Sequence, residues 1–84
     1  MEIEWLPHAR ERVRERGISE SLVRQVLREP QQVLGHGSRK VFQSRLTIRH
    51  KEYLLRVFTE VHEGVIMIRS VYRTSKVHKY WRLE

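Results

Sequence analysis

The chain has no cysteine and no aspartate among its 84 residues. The first absence excludes a disulfide framework and any thiolate metal site, and it fits a reducing compartment. The second leaves glutamate as the only carboxylate side chain available for chemistry. No apolar stretch is long enough to span a bilayer, and the N-terminus lacks the pattern of a secretory signal, so a cytoplasmic, membrane-free protein is expected. From Val65 to Leu83 there is no acidic residue at all. Metal binding has little support either: the histidines stand at positions 8, 36, 50, 62 and 78, never paired at i, i+3 or i+4. No glycine-rich phosphate loop is present, because Gly35-x-Gly37 is not followed by a helical pattern. No metal and no cofactor are expected.

What is present is a lopsided charge. Residues 1–38 hold six Arg and six Glu, whereas residues 39–84 hold eleven Lys and Arg against four Glu, so the whole formal charge of +7 lies in the second half. In the acid-free stretch Arg69, Arg73, Lys76, Lys79 and Arg82 are interleaved with Tyr72, Tyr80 and Trp81. Cations alternating with aromatic faces suit RNA or single-stranded DNA, a polyanion whose bases can stack. At 39% apolar residues gathered in short runs, the chain reads as one folded domain over residues 1–84 with a small core, not as a disordered segment.

The hydrophobic periodicity gives the order α-α-β-β-β-β. Glu2–Trp5 reads as a short edge strand or a lead-in. Pro7 suits the first turn of a helix running to Arg16, and Gly17 suits its left-handed end. Ser19 is an N-cap for a second helix whose apolar face is Leu22, Val23, Val26 and Leu27, ended by Glu29-Pro30. Strands follow at Gln32–Leu34, Lys40–Ile48, Tyr53–Val61 and Val65–Tyr72, the last two joined by a tight turn at His62-Glu63-Gly64. Ser75–Trp81 reads as a short final helix or an extended tail. The expected fold is α+β: an N-terminal helical hairpin packed on a curved four-stranded antiparallel sheet.

Three groups of residues can carry chemistry. Arg56 and Arg69 each interrupt an apolar strand, and pairing through the His62–Gly64 turn would place them near each other. Two adjacent guanidinium groups call for an anion between them, for which a phosphate is well shaped. Alternatively, both lie on the solvent face of a one-sided sheet, paired with Glu60 or Glu52. The second group is the basic-aromatic segment of Tyr72, Arg73, Thr74, Ser75, Lys76, His78, Lys79 and Tyr80. RNA brings its own nucleophile, the 2′-hydroxyl, so metal-free cleavage needs only positioning, proton transfer and charge stabilisation. His78, Lys76 or Tyr80 could move protons, and Arg69 and Arg73 could supply charge. The same segment could bind nucleic acid without cutting it, and composition does not separate the two. The third is His8 and Arg12, one helical turn apart: either an imidazole kept neutral by its neighbour or two solvated side chains.

The run Pro7-His8-Ala9-Arg10-Glu11-Arg12-Val13-Arg14-Glu15-Arg16-Gly17-Ile18-Ser19, followed by Val26-Leu27-Arg28-Glu29-Pro30, resembles domain-of-unknown-function family 4258. Its members have an "HAxxRMxERGIS" helix and a "VLxxP" second helix. Ser70-Val71-Tyr72 and Lys79-Tyr80-Trp81 match the family's later segments, and Val13 replaces its usual methionine. The resemblance covers about residues 7–81. The family is similar to small toxins of the RelE, ParE and BrnT type, with two helices against a curved antiparallel sheet. RelE and BrnT relatives cleave RNA, RelE acting on mRNA in the ribosome, and ParE relatives target gyrase. The resemblance implies a toxin neutralised by an acidic antitoxin and acting as a metal-independent endoribonuclease on mRNA. Arg56, Arg69, His78 and Tyr80 would be catalytic. Arg73, Lys76, Lys79, Tyr72 and Arg82 would bind the nucleic acid, and His8 and Arg12 would form a family-motif site. A non-catalytic nucleic-acid-binding module, or a toxin or interaction domain with a protein target, is the alternative.

Overall fold

A computed structural model describes residues 2–83, so the two ends of the single domain expected over 1–84 lie outside the described residues. The chain runs β1 (Glu2–Trp5), α1 (Pro7–Glu15), α2 (Glu20–Arg28), β2 (Gln32–His36), β3 (Arg39–Ile48), β4 (Lys51–His62), β5 (Val65–Thr74) and α3 (Val77–Tyr80). The α+β class stands, with two corrections: a strand precedes the helical pair expected to open the fold, and the sheet is not four-stranded and wholly antiparallel. The described sheet has five strands in the order β1-β5-β4-β3-β2, and β1 lies parallel to β5 at one edge, pairing Glu2 with Val65 and Trp5 with Ile68. The other neighbours are antiparallel.

Local signals set the element ends. Pro7 starts α1 and Gly17, at φ +67°, follows its last turn. Ser19 caps α2, its hydroxyl accepting the Leu22 N–H at 3.4 Å. Two hairpin turns have positive φ at both central residues, Arg49-His50 and Glu63-Gly64, the backbone that matches the right-handed twist of the flanking strands.

The pleat then sorts the side chains. On one face of β4 and β5, Leu55, Val57, Ile66, Ile68 and Val71 meet Ala9 and Val13 of α1 and Val23, Val26 and Leu27 of α2. Each fully buried aliphatic side chain contributes about 2 kcal/mol relative to exposure. Since β1 covers only Val65–Ile68, the carbonyls further along β5 need other partners, and Arg16 Nη1 donates to Val71 O at 2.8 Å. This bond also pins the end of α1 to the sheet.

The opposite face is partly covered by the C-terminal segment. Leu54 points there and is fully buried; Thr74, opposite it in the ladder, and Val77 of α3 are buried as well, and α3 lies against β4. The short closing helix among the alternatives of the sequence is therefore real, and an apolar anchor explains it.

The β2–β3 hairpin depends on Gly35, whose φ is +116° and whose missing Cβ would stand 2.2 Å from Arg39 O. Backbone cannot yield as a side-chain tip can. Gly35→Ala is expected to destabilise the fold by more than about 2 kcal/mol in urea unfolding. A change of only a few tenths would show that this hairpin tolerates opening.

Candidate functional site

The open face of the sheet carries the site. Strand register brings Gln32, Gln43, Arg56 and Tyr72 into one row across four strands: Gln32 opposes Gln43, Gln43 opposes Arg56, and Arg56 opposes Tyr72. Arg56 Nε donates to Gln43 Oε1 at 2.9 Å, and its guanidinium carbon lies 4.3 Å from the Tyr80 ring centroid. Gln43, fully buried, uses its amide N–H groups on Gln32 Oε1 (2.7 Å) and Tyr80 O (3.2 Å). One glutamine thus fixes both the guanidinium and the backbone that carries the aromatic ring above it. Tyr72 completes the cluster, packed edge-on against Tyr80 with centroids 6.0 Å apart.

The other strand arginines of this face are neutralised. Arg45 donates twice to Glu52 Oε2, at 3.0 and 2.8 Å. Arg39 and Arg69 both hold Glu60, which also receives His62 at 3.5 Å. Burial pushes the Glu60 carboxyl up, but the His62 hydrogen bond and the charges of Arg39 and Arg69 outweigh it and hold the group below the usual carboxylate range. Arg56 alone among these arginines has no carboxylate partner within the described residues. Burial lowers its pKa, opposed by Tyr80 and Tyr72; with so basic a group it stays charged near neutrality.

The phenol of Tyr72 is more acidic than an ordinary tyrosine. Thr74 is the largest cause, then Tyr80, both through hydrogen bonding; burial opposes them, and the Lys79 and Lys76 charges assist. Thr74 Oγ1 accepts the Lys76 N–H at 3.0 Å and keeps its own proton to donate.

Several residues expected in the site are placed elsewhere. Arg56 and Arg69 do not oppose one another. Phe58 pairs with Ser70 and Thr59 with Ile68, so Arg69 is the extra residue of a β-bulge and turns toward Glu60. For Arg69 the solvent-face ion pair is what forms; for Arg56 neither Glu52 nor Glu60 is the partner. Arg73 opposes Leu55 and so belongs to the helix side of the sheet, where it lies over Tyr53 at 5.6 Å and lines a cleft of about 370 Å³ with Arg16, Ile18 and Tyr72. His78 is exposed on α3 and has no hydrogen bond or ion pair among the described residues. Lys76, Lys79 and Arg82 are exposed along the same segment, Lys79 lying 5.4 Å from the Tyr80 ring. His8 is 85% exposed and 3.9 Å from Glu11, and Arg12 is exposed beside it, so these two stay solvated on the outer side of α1.

Gln43 and Gln32 are the residues that motif reading missed. The signal was available once the Arg49-His50 turn is placed, because that turn fixes Gln43 opposite Arg56.

A small α+β domain with helices on one sheet face and a cationic, tyrosine-lined cluster on the other is the class these features define. The chain matches the sequence model of a family described as a domain of unknown function (DUF4258) over residues 5–73, and it belongs to that family. The match ends before α3, so Lys76–Arg82 lie outside the matched region. No curated protein and no solved structure matched the chain. No described helix is long and apolar enough to cross a membrane, and the described residues contain no group of three or more His or Glu able to hold a metal.

Absorbance titration is expected to resolve one phenol ionising below the ordinary tyrosine range, and Thr74→Val should return it toward that range. Because the Tyr72 pKa is depressed in the folded state, its contribution to stability is present above the unfolded tyrosine pKa and declines as pH falls through the folded one. A single unsplit transition in the wild type would refute the assignment.

Proposed function

We propose that the protein is a metal-independent endoribonuclease of toxin type, which takes single-stranded RNA on the open face of its sheet. One observation carries the reading: Arg56 is a half-buried guanidinium without a carboxylate, held by Gln43 through Nε and stacked on Tyr80. Its two terminal nitrogens have no partner among the described residues, which leaves a fork suited to two phosphate oxygens.

In the proposed reaction Tyr72, whose phenol is more acidic than usual, serves as the base in its ionised form and takes the proton of a ribose 2′-hydroxyl. The 2′-oxygen then attacks the adjacent phosphorus. Arg56 stabilises the charge that develops on the phosphoryl oxygens, and Lys76 and Lys79 hold the flanking backbone. The 5′-oxygen leaves with a proton from the Tyr80 hydroxyl, giving a 2′,3′-cyclic phosphate end and a 5′-hydroxyl end. Tyr72 moves in this reading from a binding role to the base. Arg69, satisfied by Glu60, moves out of the catalytic set, and His78 takes no step.

An antitoxin partner would present an acidic segment over the same face, since seven net positive charges fall in residues 39–84. Cytoplasmic mRNA is the proposed substrate, on or off the ribosome.

The test adds purified protein to a translating cell-free extract and maps mRNA 5′ ends over time. Wild type should produce discrete new ends. Arg56→Ala should reduce them by at least a hundredfold, and Arg69→Ala by less than about threefold, the difference between losing a transition-state contact and losing an exposed ion pair. Intact mRNA with wild type, while short RNA is still bound, would replace the nuclease by a non-catalytic binding module. Equal loss from both variants would reject the separation of Arg56 from Arg69.

A further inference from the structure

At the β2 end of the open face, next to the Arg56 cluster, is a cleft of about 610 Å³ lined by Gln31, Gln32, Arg45, Trp81, Arg82 and Leu83. It is a built feature, because the backbone on its far side is held in place. Gln32 Nε2 donates to Arg82 O at 2.6 Å, and Arg82 N donates back to Gln32 Oε1 at 3.2 Å. The Arg45 guanidinium, already fixed by Glu52, lies 5.1 Å from the Trp81 ring centroid. Two cation–aromatic stacks therefore stand side by side, Arg56 on Tyr80 and Arg45 on Trp81. Their aromatic members are consecutive in sequence. On β3, Gln43, which holds Arg56, and Arg45 are two residues apart, about 7 Å along the strand. That separation is close to the repeat of an extended single strand of nucleic acid.

We infer that this cleft is a nucleobase subsite, receiving the base adjacent to the phosphate at Arg56 and selecting bases whose exposed edge accepts hydrogen bonds. The inference rests on the RNA-binding reading above and adds to it a position and a preference. Trp81 gives the stacking surface, extended by Arg45. The polar groups left over are donors. Gln31 Oε1 accepts one bond, from the Arg45 backbone N–H at 2.9 Å, whereas its amide nitrogen has no partner among the described residues. Arg45 commits Nε and Nη2 to Glu52 and keeps Nη1. The Arg82 side chain has no hydrogen bond or ion pair among the described residues; its contacts to Gln32 are made by the backbone. Of the two side-chain amide oxygens, Gln32 Oε1 accepts two N–H groups and is full, and Gln31 Oε1 already accepts one, so side-chain donors outnumber acceptors on this wall. Guanine offers O6 and N7 and uracil offers two carbonyls, so both suit a wall of donors. Adenine brings its N6 amino donor to that wall and leaves a donor facing a donor.

The test uses short oligonucleotides with 2′-O-methyl sugars, which cannot be cleaved, bound to a Trp5→Phe protein in which Trp81 is the sole indole. Each oligonucleotide varies one position among guanine, uracil, adenine and an abasic site. Trp81 fluorescence should be quenched by guanine and uracil, with the abasic strand bound roughly tenfold more weakly and adenine between them. Trp81→Phe should flatten the base dependence while retaining binding to the backbone. Equal affinity for guanine, adenine and abasic strands, with no change in Trp81 emission, would overturn the subsite and leave phosphate binding at Arg56 standing. Failure of every strand to bind even at low salt would overturn both readings. Loss of binding in Arg56→Ala with the base dependence intact in residual complexes would assign the two sites separately, as proposed.

Discussion

The alternation of one central strand carries both halves of the structure. Through Leu54, Leu55, Arg56, Val57 and Phe58 the side chains of β4 point in turn to the two faces of the sheet. Leu55 and Val57 close the core under α1 and α2. Leu54 is buried on the face where α3 lies against β4, and Arg56 meets Gln43 and Tyr80. A slip of one residue in β4 would put a guanidinium into the helix-covered core and two aliphatic side chains against the tyrosines. The core therefore fixes the register of the site from the other face of the sheet.

On the open face, amide side chains do what apolar packing does on the other. Gln43 and Gln32 bind the backbone of the C-terminal segment at Tyr80 and Arg82, so a stretch without strand partners still has a defined position. A buried polar network of this kind stabilises only if every member is satisfied. Here Gln43 gives both N–H groups and its carbonyl to protein partners. The result is a charged side chain placed under an aromatic ring at little cost in mobility, which is the preorganisation that anion recognition needs.

Much of this arrangement can be read from local sequence. Pro7, Gly17, Ser19 and Pro30 bracket the helices, and Glu63-Gly64 marks the β4–β5 hairpin, because caps and turns are decided by the residues that form them. What local pattern does not specify is non-local pairing. Glu2–Trp5 is too short to reveal that it lies parallel to β5, which turns the expected four-stranded sheet into five. The bulge at Arg69 adds one residue to β5 without any glycine to announce it. That single insertion is enough to send Arg69 to Glu60 and bring Tyr72 opposite Arg56. Among the expected site residues, Arg56, Tyr72 and Tyr80 come together and Lys76 and Lys79 flank them. Arg73 is lost to the other face by the parity of its strand, and His8 and Arg12 are lost to solvent because only Ala9 and Val13 of α1 meet the core.

The parallel pairing of β1 with β5 also orders events during synthesis. Glu2 cannot find Val65 until about sixty further residues have been made, and Arg56 has no ring above it until Tyr80 follows. The two helices and the hairpins between β2, β3 and β4 can form early, from contacts close in sequence. The sheet edge and the cation–aromatic cluster must form late and nearly together. A nascent chain therefore carries most of its core before the cluster of Arg56, Gln43 and Tyr80 can close.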